Sequence, residues 1–187
     1  MVDPINFTNY KRNNNELQET VLFSLLVSGK NALTTARLLE KFLEDHVQIG
    51  NTPFDKFKIY PLAVLPGVLK KYGFGCYNSK AKGIYQLVNS GINLRDCTFN
   101  ELRLIHGIGP KTANLFLMHT RESYRGACID THILKYLRDL GYKVPKSTPS
   151  KKKYAELQEV FLEICDKRNV NPAKLDLEIW NYYRKLE

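Results

Sequence analysis

Leu104-Ile105-His106-Gly107-Ile108-Gly109-Pro110-Lys111-Thr112-Ala113-Asn114 is the stretch on which the reading of this chain turns. Two glycines at i and i+2 fit a tight turn whose backbone comes close to something else. Pro110 suits the first position of a following helix, where a missing N–H costs nothing. Lys111 then falls in that helix's first turn, an odd place for a cation because the dipole there favours anions. Nineteen residues further on stands Asp130, in Cys128-Ile129-Asp130-Thr131-His132, heading a second helical pattern.

Working outward from the hairpin, nearly every segment reads as helix. Leu17, Val21, Leu22, Leu25 and Leu26 recur at helical spacing until Ser28-Gly29-Lys30-Asn31 breaks the run. Leu33 to Leu43 gives a second amphipathic helix ending near His46, and a loop with Gly50 and Pro53 follows. Leu62 to Tyr72 is a third, bounded by Pro61 and Gly73 and interrupted by Pro66-Gly67. After the turn Gly73-Phe74-Gly75-Cys76, helices are predicted over Ser79 to Ser90, Phe99 to Ile105, Pro110 to His119 and Asp130 to Leu140, with Gly141 as the stop. Lys143 to Lys153 reads as a basic loop, and Tyr154 to Lys167 and Leu175 to Leu186 as the last helices. Strand signals are weak. The expected fold is all-α, about ten short helices in two lobes flanking a cleft. One lobe is expected from residues 66–140, the other from 1–65 with 141–187.

Composition narrows the partners. Twenty-eight Lys+Arg against 19 Asp+Glu leave a net charge of +9, which favours a polyanion, most commonly nucleic acid. No run of about 18 apolar residues suggests a membrane span, and Met1 to Asn15 lacks the apolar stretch of a secretory signal. Cys76, Cys97, Cys128 and Cys165 are widely spaced with no CxxC pair. That argues against a metal or iron–sulfur site and for reduced thiols in a cytoplasmic or nuclear setting, with Cys128 and Cys165 in the core.

The N–H groups around Gly107 and Gly109, with the helix N-terminus behind them, can form a phosphate-binding nest; an ordinary turn between packed helices fits the same pattern. Lys111 is either a phosphate-contacting lysine or a nucleophile. A partly desolvated amine at the positive end of a helix loses preference for its charged form, and a neutral amine can attack a sugar C1′. Asp130 is a natural N-cap, and the same carboxylate can take a proton from the amine or stabilise positive charge on a sugar.

These residues resemble the helix-hairpin-helix DNA glycosylase superfamily. Gly107 to Asn114 is similar to the hairpin of endonuclease III, whose Schiff-base lysine falls where Lys111 stands, and Ile129-Asp130-Thr131-His132 matches the segment with the catalytic aspartate. Gly75-Cys76-Tyr77-Asn78-Ser79-Lys80-Ala81 resembles the loop that wedges into the DNA stack, and Ser28-Gly29-Lys30-Asn31 falls where polar side chains fill the gap left by an extruded base. The resemblance spans about Leu17 to Trp180. It implies catalytic Lys111 and Asp130, and DNA contacts from Gly107, Ile108, Gly109, Lys30, Asn31, Cys76, Tyr77, Asn78, Lys80 and His132.

Further lysines (Lys70, Lys71, Lys82 and Lys151 to Lys153) are candidates for a phosphate track, while Trp180, Phe116 and Phe161 are expected in the core. Two departures stand out. His106 replaces the proline usual before the first hairpin glycine, and no iron–sulfur cluster is expected, the chain ending just after its last helix. Lys174 to Trp180 is more similar to archaeal 8-oxoguanine glycosylases than to endonuclease III. The implied protein is a base-excision enzyme, a bifunctional glycosylase and AP lyase for an oxidised base, with 8-oxoguanine favoured over an oxidised pyrimidine. Its expected partner is damaged double-stranded DNA, bound as a monomer without cofactor, metal or membrane. A glycosylase using Asp130 and water, and a non-catalytic helix-hairpin-helix module, remain as alternatives.

Overall fold

The structure is a computed structural model and describes residues 1–147 and 149–185. Among the described residues there are ten helices and no strand. They are α1 (Asn14–Leu26), α2 (Ala32–Asp45), α3 (Pro53–Lys58), α4 (Leu65–Lys71), α5 (Tyr77–Asn89), α6 (Phe99–Leu102), α7 (Pro110–Thr120), α8 (Thr131–Asp139), α9 (Lys151–Lys167) and α10 (Pro172–Tyr183). No helix among the described residues is long and apolar enough to cross a membrane.

Most helices start at the caps the sequence offers. Asn13, Thr52 and Thr98 form capping boxes with Glu16, Asp55 and Glu101, each pairing two otherwise orphaned amides. α3 lies where a loop was expected: Pro53 at its first position and the Thr52–Asp55 box start a helix too short to show periodicity. The basic run expected as loop ends instead in α9, where Ser150 caps Lys153 N and all three lysines enter the first turn. The expected end of the final helix at Leu186 falls outside the described residues; α10 is described to Tyr183.

The chain divides into two compact units: Met1–Pro4 with Lys11–Phe116, and Ile5–Tyr10 with Leu117–Glu187. The boundaries expected at 65/66 and 140/141 are therefore not those of the structure. α1 packs on α5, as do α3 and α4, so the first helices share a core with the hairpin segment. That core holds Leu22, Leu26, Phe42, Phe57, Leu65, Leu69, Ile84 and Leu87, all essentially solvent-free. α1 is buried on nearly every side, and its two polar residues inside, Thr20 and Ser24, are satisfied by donating to the carbonyls of Glu16 and Thr20. Phe42 stacks on Phe57 with ring centroids 4.1 Å apart.

The second unit is built on α8, α9 and α10. Ile133, Leu134 and Leu137 of α8 meet Leu157, Phe161 and Ile164 of α9 and Leu175 and Ile179 of α10. Burying a side chain such as Phe161 contributes roughly 2–3 kcal/mol. Residues Ile5–Tyr10 join this unit through polar contacts: Thr8 Oγ1 pairs with His119 Nδ1 at 2.7 Å and Asn9 N–H donates to the His119 carbonyl at 3.0 Å. The buried His119 ring pairs with Asp176 through its other nitrogen, at 3.2 Å.

Candidate functional site

The hairpin keeps the conformation its glycines allow. Gly107 has φ +80°, and neither Gly107 nor Gly109 has any other group within 4 Å of where a Cβ would stand. Both glycines thus present open backbone, ahead of an eleven-residue helix that starts at Pro110. Ile108 does not share that role. Its side chain is buried and its N–H donates to the Ile105 carbonyl at 3.1 Å, so it anchors the turn from below. Lys111 stands half-buried in the first turn of α7, and among the described residues no hydrogen bond or ion pair engages its amine.

Position 106 shows what replaces the expected proline. The His106 N–H donates to Gln86 Oε1 at 2.8 Å, a bond proline cannot make. Gln86 Nε2 in turn donates to the Leu104 carbonyl at 2.9 Å, and the His106 ring pairs with Ser79 Oγ at 3.1 Å. The His106 carbonyl packs so close to Gly83 that a Cβ there would lie 2.3 Å away. Ser79, Gly83 and Gln86 all belong to α5, so this helix is the seat of the hairpin. A glycine inside a helical pattern is a signal of such close approach; nothing local in the sequence marks Gln86.

The loop before α5 is tied back to α4, Gly73 N–H donating to the Lys70 carbonyl and Phe74 N–H to the Leu69 carbonyl, both at 3.0 Å. Cys76 is exposed and takes a left-handed conformation, φ +54°, at the N-cap of α5. Asn78 is exposed, and Tyr77 is half-buried with Lys70 Nζ 5.7 Å from its ring centre. Lys80 differs from the expectation of a surface DNA contact. It is 5% exposed and its ammonium donates to the Leu26 carbonyl, at the end of α1, at 2.5 Å. Burial, more than the neighbouring Lys30 charge, holds its pKa below the usual lysine range. In the sequence it is one basic residue among several; only its place on the inner face of α5 distinguishes it. Lys70, Lys71 and Lys82 are exposed, as are Lys151 and Lys152, while Lys153 is half-buried and pairs with Glu156 at 2.9 Å.

In the Ser28–Asn31 turn, Lys30 is exposed and the Asn31 side chain caps α2 by accepting from Thr34 N–H at 3.0 Å. Asn31 is thus a cap in this structure, with its amide oxygen engaged.

In the second unit, Asp130 is the N-cap of α8. Its Oδ1 accepts from His132 N–H and Ile133 N–H, both at 2.9 Å, while Oδ2 has no partner among the described residues. One oxygen caps the helix and the other stays available, so the two sequence readings of Asp130 are compatible. The extended segment leading to it is fixed by Tyr154, whose hydroxyl accepts from Ile129 N–H at 3.2 Å and donates to the Ala127 carbonyl at 2.6 Å. The His132 ring lies 6.5 Å, centre to centre, from both Trp180 and Tyr183. Phe116 and Phe161 are in the core as expected; Trp180 is half-buried, with the Arg184 guanidinium 5.1 Å over its ring.

Comparisons with known proteins agree on one family. Residues 5–170 match the family model for 8-oxoguanine DNA glycosylase. The 8-oxoguanine DNA glycosylase/AP lyase of Methanocaldococcus jannaschii is 32% identical over 148 residues, covering 73% of this chain and 70% of that protein. The crystal structure of the M. jannaschii 8-oxoguanine glycosylase/lyase in complex with a 15-mer DNA containing 8-oxoguanine superposes with a TM-score of 0.71 at 27% identity, covering 98% of this chain and 88% of that one. The 8-oxoguanine DNA glycosylase of Thermotoga maritima gives a TM-score of 0.65 at 25% identity, over 89% and 78% of the two chains. This chain, with its open glycine hairpin, a lysine in the first turn of the helix that follows and a capping aspartate, thus belongs to the 8-oxoguanine DNA glycosylase family of helix-hairpin-helix proteins.

Proposed function

We propose that this chain removes 8-oxoguanine from double-stranded DNA and cleaves the resulting abasic site, acting as a monomer without a cofactor. The observation that carries the reading is Lys111, an amine with no hydrogen bond or ion pair among the described residues, one residue after a proline that follows an open Gly107–Gly109 turn. A strand phosphate on the hairpin amides puts the sugar of an adjacent nucleotide within reach of the first turn of α7. The damaged base must leave the duplex, at a cost of a few kcal/mol that is smallest for damaged or mispaired bases.

In the proposed reaction the neutral Lys111 amine attacks C1′ while the glycosidic bond breaks and its electron pair leaves with the base. Asp130, through the oxygen not used for capping, takes the proton lost by the amine and offsets positive charge developing on the sugar. Ring opening gives a Schiff base between Lys111 and C1′. Loss of a C2′ proton then expels the 3′ phosphate with its bonding pair, and water releases the enzyme. The family match supports 8-oxoguanine over an oxidised pyrimidine as the base.

Borohydride reduction during reaction with 8-oxoguanine duplex is expected to yield a covalent protein–DNA adduct, and Lys111→Gln to abolish it. Base release persisting at the wild-type rate in Lys111→Gln would instead assign a water-using glycosylase. Binding without base release from the wild type would assign a non-catalytic module.

A further inference from the structure

Beside the Ser28–Asn31 turn lies a cavity of about 230 Å³ whose lining includes Lys30, Lys80, Asn31, Thr34 and Gly75. No carboxylate lines it, although two lysines do. Lys80 uses one N–H on the Leu26 carbonyl and senses the Lys30 charge. Among the described residues Lys30 Nζ has no hydrogen bond or ion pair. Its position is nevertheless defined: the side chain crosses Gly75 so closely that a Cβ there would stand 1.9 Å from Lys30 Cε and 2.4 Å from Nζ. Two lysines lining one cavity with no carboxylate beside them favour an anion there. Thr34 adds a hydroxyl, and the cavity has room for one tetrahedral group.

We propose that this cavity is a second phosphate site, separate from the hairpin, in which Lys30 seated over Gly75 grips one phosphodiester of the damaged duplex beside the buried Lys80 charge. The inference rests on the damaged-DNA reading above and makes it more specific: Lys30 holds a backbone phosphate and does not reach into the base stack. Gly75 is glycine so that Lys30 can lie across it. Its φ is outside the positive range, so alanine is tolerated by the backbone and only the flexible end of Lys30 must move.

The test uses equilibrium binding of the full chain to an 8-oxoguanine duplex across salt concentrations, with Lys30→Gln and Gly75→Ala. Losing one phosphate contact lowers the slope of log affinity against log salt by about 0.9, so the wild type's advantage over Lys30→Gln shrinks by about 3.5-fold between 50 mM and 200 mM salt. Gly75→Ala, which changes no charge, is expected to reproduce that loss by displacing Lys30, with thermal unfolding unchanged. A Gly75→Ala protein that binds like the wild type overturns the seat, and an unchanged slope in Lys30→Gln overturns the contact. Wild type that neither binds nor processes the duplex overturns the parent reading, and the site with it. Titration with inorganic phosphate alone distinguishes the sources: saturation at low millimolar without DNA that Lys30→Gln abolishes assigns the cavity to free phosphate and overturns the duplex assignment, whereas no such saturation supports it.

Discussion

The hairpin of the first unit and the Asp130 carboxylate of the second are fixed in opposite ways. The carboxylate is set by its neighbours in sequence, although the backbone before it is held from α9. It caps the helix that Asp130 precedes, and one tyrosine hydroxyl fixes the three residues before Asp130. The hairpin is set from a distance, by Gln86, Ser79 and the missing side chain of Gly83, all on α5. A local device survives small shifts of the surrounding fold, whereas a distant clamp transmits them. The chemistry proposed for Asp130 and the DNA grip proposed for the hairpin should therefore fail separately.

The largest expected effect separates the two duties of Asp130. Asn caps a helix as well as Asp, so Asp130→Asn keeps its melting temperature while base release under single-turnover conditions falls by about 10²–10⁴-fold. Asp130→Ala adds a stability loss of about 1 kcal/mol. Equal activity in Asp130→Asn and wild type would leave the aspartate a cap alone.

Next in size, Tyr154→Phe removes both bonds from the segment before Asp130 and takes from the buried Ile129 N–H its tyrosine partner, at about 1–3 kcal/mol. Gly83→Ala drives a methyl against the His106 carbonyl; overpacking costs about 1–3 kcal/mol, of which better helix propensity returns about 1. The two should differ in kind: Tyr154→Phe lowers the rate at saturating enzyme, whereas Gly83→Ala weakens duplex binding and spares the saturated rate. The same phenotype in both would dissolve the contrast.

The smallest effect concerns Lys80, whose folded pKa lies below its unfolded value of 10.5. Between those values the unfolded chain binds more protons, so the wild type gains stability as pH rises towards 10.5. Lys80→Met has no such group, so any stability advantage of the variant over wild type at neutral pH narrows as 10.5 is approached. A difference independent of pH, measured by denaturant unfolding, would mean that the ammonium is not buried with its charge.

What the sequence revealed follows the same division. Helical periodicity and the Asp130 cap are encoded by residues within one or two turns of each other, and each appears where the pattern puts it. α3 escapes periodicity because six residues hold too little of it. The unit boundaries were not legible because α1 to α3 choose their packing partner in space, burying their apolar faces against α5. Lys80 was misplaced for a similar reason: a lysine in a basic motif reads as surface until the end of α1 is found beside it. Lys111 was legible by type and position, because Pro110 marks the start of α7 one residue before it.

The Gln86–His106 clamp also bears on the order of assembly. A proline-stiffened turn carries its shape with it from the outset, but this hairpin borrows its shape from a helix twenty residues earlier. We expect it to settle after α5 has formed, late on the folding pathway. Gln86→Ala should then speed unfolding and leave the refolding rate nearly unchanged, the kinetic mark of a contact absent from the transition state.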